Sequence, residues 1–592
     1  MHFSGAYEEE ITGKAYDRRL MRRFVRYLRP YRGQALLVLL ILPFAAVTKL
    51  LQPYVVKIAI DDHITRGDMQ GLPGLAALFL LLVAADSLLT YLEIYLLQNI
   101  GQRIMADLRQ ELFAHVQRLS ASFFDRTRTG ALITRLTSDV EVIGEMFAAG
   151  IVTVVGDLLV LAGIMGIMLW LNVRLSLVVF SVLPPLLFVV FRFRTRMRNA
   201  FREVRARLSG LNSFLAESLS GMTVIQLFAR ERSEREAFSS LNRAYRDSNF
   251  PVITWDAALF AMVEMLASVA GGLIIWYGGG EVVRSALTFG ALVAFLQYSE
   301  RFFGPIRDLS GKYSVMQGAM AALERIFALL DTREFIPEPE NPSDPFPVET
   351  IEFRDVWFAY REGEYILKGL NLTIRRGETV ALVGETGGGK TTVTRLLSRQ
   401  YEVTRGSITI NGVDIREIPL CRLRRAIVVV LQEPTLFSGT LRSNISLGDP
   451  QAGHRVEASA AAVGADRFIG RLEKGLGEEV RERGSNFSAG ERQLVSFARA
   501  LAFDPEVLVL DEATASIDST SEQLIRQGLR GLLTGRTSLV VAHRLSTVRD
   551  AHRIVVIHKG EKREEGTHRE LLAAEGIYYR LHQLQFREES AA

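Results

Sequence analysis

TVALVGETGGGKTTVTRLLSR, residues 379–399, reads as three pieces in a fixed order. Five apolar or β-branched residues suit a buried strand, GETGGGKTT (residues 384–392) suits a tight loop, and VTRLLSR suits the body of a helix. The loop fits GxxxxGK[ST] in the strand-to-helix context that gives this pattern its meaning. Gly384, Gly387, Gly388 and Gly389 let the backbone wrap closely around phosphate groups, with Glu385 and Thr386 completing the turn. The helix start at Lys390, Thr391 and Thr392 adds amide donors and a partial positive charge. Lys390 is expected to reach the β- and γ-phosphates and Thr391 to ligate Mg²⁺. A chance glycine-rich turn could carry the same letters, but the strand before it and the helix after it speak against that.

Downstream, PEVLVLDEAT (residues 505–514) is an apolar strand ending in two carboxylates. A nucleotide site needs one acid on metal-bound water and one beside the attacking water, which assigns Asp511 to the first role and Glu512 to the second. Upstream, IEFRDVWFAY and ILKGLNLTI read as strands, so an α/β unit is expected over residues 350–592. Before it, DTREFIPEPENPSDPFPVET is too rich in proline and acid for a packed helix and marks a linker over residues 331–349.

Residues 34–330 have a different character. Crossing about 30 Å of hydrocarbon takes about 20 apolar residues. Six stretches qualify, at roughly 35–58, 74–98, 146–171, 174–193, 256–277 and 286–304. The connections DDHITRGDMQG, LNVR and GGGEVVRS are short, whereas those after the second and fourth stretches are long and carry arginine-rich segments such as RFRTRMRNAFREVRARL. The positive-inside rule then places the long connections and both termini in the cytoplasm. Both long connections read as helices that continue past the bilayer and turn back near Phe123–Gly130 and Gly221–Glu231, where aromatic residues beside charges suit contact with another domain. Residues 1–33 form an N-terminal elbow region in which RRLMRRFVRYLRPYR suits an amphipathic helix on the cytoplasmic face, and no cleaved signal peptide is expected.

Composition excludes several classes. A length of 592 residues exceeds one core, and 48% hydrophobic with 23% charged residues fits a membrane part joined to a soluble part. A net charge of +4 without a long basic tail does not suit nucleic-acid binding, and the single cysteine, Cys421, excludes an internal disulfide framework.

Taken in order, the motifs resemble the ABC transporter superfamily along nearly the whole chain. VLQEPTLF resembles the Q-loop, with Gln432 sensing Mg²⁺ and γ-phosphate; FSAGERQ resembles the signature motif; SIDS, with Ser516 and Asp518, resembles the D-loop; AHRLST resembles the H-switch, with His543 as a catalytic residue. Tyr360 in FAY matches the residue that stacks on adenine. The resemblance implies an all-α six-helix transmembrane domain of the exporter type, followed by an α/β P-loop nucleotide-binding domain. It implies ATP and Mg²⁺ as cofactors and an obligate dimer in which Phe487, Ser488, Ala489, Gly490 and Glu491 of one chain act on the ATP of the other. The two turning points then correspond to coupling helices, met by the segment Glu482 to Gly484. The family mechanism is alternating access in a bacterial inner membrane, with a small amphipathic substrate such as a drug or lipid.

The sequence departs from the usual LSGGQ at Phe487, Ala489 and Glu491 while keeping Glu512 and His543. Harmless drift and a heterodimer whose partner supplies the better signature both fit, and the expectation leans to the heterodimer. Charges in or near the apolar stretches, among them Lys49, Asp86, Glu93, Asp157, Asp256 and Glu264, are candidates for a substrate cavity, with Asp86, Asp157 and Glu264 foremost. They can instead pair with one another between helices. A nucleotide-gated channel or regulatory subunit, or an importer on the same scaffold, would share these features.

Overall fold

In hydrocarbon an unbroken apolar run can satisfy its own backbone only as a helix, and the first half of the chain is built accordingly. The computed structural model describes residues 17–147, 150, 152–361, 363–511, 519–541 and 548–591. It divides into two compact units, Met1–Gln117 with Arg128–Thr332, and Arg118–Thr127 with Arg333–Ala592.

In the first unit, five helical stretches are long and apolar enough to cross a membrane: 18–64, 72–118, 152–171, 173–220 and 231–283. The helix Leu72–Arg118 has 47 residues, about 70 Å at 1.5 Å per residue and more than twice the hydrocarbon thickness. Leu183–Ser220 and Glu231–Leu273 pack along each other, joined by the short helix Met222–Leu227. The sixth expected stretch lies in Phe289–Asp331. Gln297, Glu300 and Arg301 interrupt its apolar character. The helix tolerates them because it runs inside the bundle, where Phe295, Tyr298 and Phe302 are buried. Arg301 donates to Gln52 Oε1 at 2.7 Å and Tyr298 Oη to the carbonyl of Leu50 at 2.6 Å.

In the second unit, five parallel strands form the centre of a six-stranded sheet in the order Arg553–His558, Thr379–Val383, Thr537–Val541, Val507–Asp511, Ile427–Val430, with Glu561–Gly566 antiparallel at one edge. Alternating side chains feed two cores: Val380, Leu382, Val507 and Val509 face one, whereas Ala381, Val383, Leu508 and Leu510 face the other. Burial on both faces is why these strands are continuously apolar in sequence. A four-stranded antiparallel sheet, led by Thr350–Ala359 and Tyr365–Arg375, packs beside them. Arg399, 2% exposed, fastens the linker to this unit by donating to the carbonyl of Pro337 at 2.7 Å and to Glu402 at 2.8 Å.

Candidate functional site

Ligands of open parallel sheets bind beyond the carboxyl ends of the strands, and the chemistry-bearing residues converge there. The loop leaves Thr379–Val383, two strands away from Val507–Asp511, which carries Asp511 at its end. Gly384 has φ +154°, and a Cβ there would come within 2.1 Å of the Ile557 carbonyl oxygen. Gly389 has φ +103°, and its Cβ would meet Leu367 at 2.8 Å. Both positions therefore require glycine. Gly389 starts the helix Lys390–Leu397 without a side-chain cap, so its first amides are available to an anion. Lys390, 4% exposed, donates from Nζ to the carbonyls of Gly384 at 2.8 Å and Glu385 at 2.9 Å, which draws the loop around it.

Thr391 Oγ1 donates to Asp511 Oδ1 at 3.0 Å. A hydroxyl and a carboxylate held together are the hard oxygen donors that Mg²⁺ prefers. Among the described residues no cluster of three or more His, Cys, Asp or Glu could hold a metal ion. Gln432 is exposed just past the strand Ile427–Val430. Glu512, Ser516, Asp518 and His543 lie outside the described residues.

Tyr360 follows the strand Thr350–Ala359 and is 43% exposed. Its hydroxyl is 3.3 Å from Thr392 Oγ1, and its ring meets Phe358 and Tyr401 edge-on, with centroids 4.8 and 5.2 Å away. Tyr401 in turn donates its hydroxyl to Asp125 of the helix Ala121–Arg126. Burial first, and then that bond, push the Tyr401 hydroxyl well above its ordinary pKa, so it remains a donor. The same short helix is held by Arg126 to Glu334 and by the Ser120 amide to the Glu334 carbonyl at 2.8 Å. Sequence reasoning singled out the first turning point but missed Tyr401 as its partner.

Ser488 caps the helix Ala489–Ala502. Its Oγ accepts from the Glu491 amide at 3.2 Å, and Glu491 Oε2 accepts from the Ser488 amide at 2.9 Å, a reciprocal capping box. Phe487 is 6% exposed and packs on Phe468, while Gly490 is buried and Ala489 is exposed in the first helical turn. Glu482–Gly484 form a turn around Arg483 at φ +54°, with Glu482 and Arg483 exposed and Gly484 buried.

In the membrane unit, Asp157 is ion-paired with Lys312, and Lys49, Asp86, Asp157 and Lys312 all act electrostatically on Glu93. Asp86 Oδ1 is buried with no hydrogen-bond partner. Glu264 sits at an exposed position of the helix Glu231–Leu273, outside this group. Sequence reasoning missed Lys312 because it lies beyond the sixth apolar stretch.

Comparison with known proteins agrees with this geometry. Residues 35–306 match the family described as ABC transporter transmembrane region, and residues 367–515 match the ABC transporter family. The ABC transporter ATP-binding protein YknV of Bacillus subtilis (strain 168) is 38% identical over 98% of this chain and 96% of its own length. The ATP-dependent lipid A-core flippase of Syntrophus aciditrophicus (strain SB) is 34% identical over 96% of this chain and 94% of its own. The fatty acid ABC transporter ATP-binding/permease protein of Mycobacterium bovis (strain ATCC BAA-935 / AF2122/97) is 36% identical over 85% of this chain and 80% of its own. A solved structure of a bacterial Atm1-family ABC exporter with ATP bound superposes with a TM-score of 0.76 at 28% identity, covering 94% of this chain and 98% of that one. The chain belongs to the ABC transporter family, as a membrane-spanning exporter that couples ATP hydrolysis to transport.

Proposed function

We propose that this chain, as one half of a dimer, exports amphipathic small molecules across a bacterial inner membrane by alternating access, with both termini and the ATP site in the cytoplasm. The observation that carries the substrate reading is Asp86. Its Oδ1 is buried without a hydrogen-bond partner, Asp86 acts on Glu93 together with Lys49, Asp157 and Lys312, and Lys312 is already committed to Asp157. A buried acceptor left unmade costs free energy that an incoming donor recovers. With three acids and two bases in the group, an organic cation with an apolar body is the favoured cargo. The lipid A-core and fatty acid names of the relatives fit an amphipathic cargo without choosing between these classes.

At the other end, the uncapped helix start and Lys390 hold the phosphates, Tyr360 supports the adenine, and Thr391 and Asp511, with Gln432, would hold Mg²⁺. Bound there, Mg²⁺ would neutralise phosphate charge. Glu512 orients the attacking water and His543 contacts the γ-phosphate. Ser488 and its helix start face the ATP of the second chain, a role its exposed position permits. Val224, Leu227 and Phe228, exposed at 58%, 77% and 73% on a helical tip beyond the bilayer, supply apolar surface for a second chain.

The test is ATP-dependent uptake of a cationic dye into inside-out vesicles. Uptake should vanish in Glu512→Gln and fall about tenfold or more in Asp86→Asn, which removes the charge without the volume. Undiminished uptake in Asp86→Asn would reject the cation site. ATP binding without turnover in the unmodified chain would instead favour a nucleotide-gated channel or regulator.

A further inference from the structure

The helix Arg32–Ile58 carries Pro53 in its interior. Proline has no amide N–H, so the carbonyl four residues earlier, that of Lys49, loses its partner within the helix. In hydrocarbon such a carbonyl has to be met from outside the helix. It is met by Arg301 of the helix Phe289–Asp331, whose Nη1 donates to the Lys49 carbonyl while Nη2 donates to Gln52 Oε1 at 2.7 Å. One turn earlier on the same helix, buried Tyr298 donates to the next carbonyl, that of Leu50, at 2.6 Å. The helix Val152–Leu171, which carries Asp157, closes on this turn from another side: a Cβ at Gly163 would lie 2.3 Å from Leu50 Cδ1.

A guanidinium is a costly way to satisfy one carbonyl, because a serine or threonine hydroxyl does so without bringing a charge into the membrane helices. Among the described residues Arg301 has no carboxylate partner. What its planar fork adds is a rigid hold on two oxygens of one turn. That turn begins at Lys49, which acts on Glu93 together with Asp86, Asp157 and Lys312. Lys312 is committed to Asp157, so Lys49 is the base of this group left to pair with Asp86. It does not do so, since Asp86 Oδ1 has no hydrogen-bond partner and Lys49 makes no ion pair among the described residues.

We propose that Arg301 is a positioning residue of the cargo site: by holding the Lys49 carbonyl that Pro53 leaves open, it keeps the Lys49 ammonium off Asp86 and leaves the Asp86 oxygen to a cationic cargo. The inference rests on the cation reading of that site. Arg301 touches no cargo and acts through Lys49. Released from Arg301, the Lys49 turn shifts, and its ammonium competes with the cargo for Asp86.

The experiment measures ATP-dependent uptake of ethidium by the full-length transporter in inside-out vesicles, over a range of dye concentrations. Arg301→Met should raise the half-saturating concentration about tenfold and leave the maximal rate within about twofold of the parent. Adding Lys49→Gln to Arg301→Met removes the competing base and should return the half-saturating concentration close to the parent value, a reversal that a merely structural role for Arg301 does not produce. Where Arg301→Met does not fold, Pro53→Ala returns an amide to the Lys49 carbonyl, and the comparison with and without Lys49→Gln is made in that background. An unchanged half-saturating concentration in Arg301→Met overturns the proposal. So does a rise that Lys49→Gln leaves in place, because Arg301 would then be only a contact between helices. Asp86→Asn, measured alongside, keeps the two readings apart: undiminished uptake there rejects the cation site itself, and this inference with it.

Discussion

Glu491 has two descriptions, and only one depends on a phosphate. Compared with the usual motif, it adds a negative charge near the place where the signature would meet ATP. Within its own helix it is the third residue of a capping box, bonded to the Ser488 amide and hydroxyl, both at 2.9 Å. The two descriptions make different predictions. Glu491→Ala removes the box and should lower the stability of the ATP-binding unit by about 1 kcal/mol in a denaturant titration. Glu491→Gln keeps an acceptor at the same reach and should stay within about 0.5 kcal/mol of the parent. If the charge hinders ATP, Glu491→Gln should also raise turnover; unchanged turnover would make Glu491 purely a cap. Asp511 gives a second prediction at this scale. Asp511 is 9% exposed and its carboxylate is bonded to Thr391, so Asp511→Asn should keep the bond while losing the charge that is proposed to draw in Mg²⁺. ATPase activity titrated with Mg²⁺ should show about tenfold or more higher demand for the ion and a turnover reduced by about 100-fold.

Among the elements, the short helix Ala121–Arg126 belongs to the ATP-binding unit although its neighbours in sequence belong to the membrane unit. The path from Tyr360 through Tyr401 to Asp125 joins the proposed base platform to this helix in two contacts. Tyr401→Phe and Asp125→Asn should each weaken substrate stimulation of ATPase activity, and the double variant should be no worse than either single one, as expected for two ends of one bond. A deficit equal to the sum would show that the bond carries no coupling. Elsewhere in this unit, His568 Nδ1 is 2.7 Å from the hydroxyl of buried Tyr578. Burial first, then the charges of His582, Arg549 and Arg569, lower the His568 pKa. The unfolded chain therefore binds that proton more readily, and the stability due to neutral His568 is complete above about pH 6.5 and fades as pH falls through the lower folded value. Melting temperatures recorded from pH 7.5 to 5.5 should fall less steeply in His568→Gln than in the parent. What the sequence made legible was local. The apolar strands and the glycine-bearing loop are patterns within a few residues of one another, whereas the cap formed by Ser488 and Glu491 went unread behind the signature resemblance. The Tyr401–Asp125 bond spans 276 residues and leaves no periodic trace, and Lys312 meets Asp157 only because the last membrane helix continues to Asp331.

At the scale of the whole molecule, one chain holds one phosphate loop and one signature helix. The proposed sandwich needs two of each. Two observations bear on whether the second chain is a copy. Phe487 is a filled core position, 6% exposed against Phe468, and Ala489 lies exposed in the first helical turn, where a methyl group meets no steric bar in its own chain. Glu491, likewise, is accommodated by the cap. None of the three departures from LSGGQ is a defect of folding, so in the proposed sandwich any penalty falls on the ATP of the opposite chain. A homodimer would carry that penalty at both sites, whereas a heterodimer with a standard signature in the partner would carry it at one. Expressed alone, the chain should therefore form a dimer with measurable but low ATPase activity, lost in Glu512→Gln. Restoring LSGGQ by Phe487→Leu, Ala489→Gly and Glu491→Gln should raise that activity about tenfold, the order expected for improved hydrogen bonding to a γ-phosphate across the interface. If the restored chain is no faster and the parent already turns over robustly as a dimer, FSAGE is a competent signature and the homodimer is the working unit. A chain that stays monomeric alone but gains activity on co-expression with a second half-transporter would establish the heterodimer.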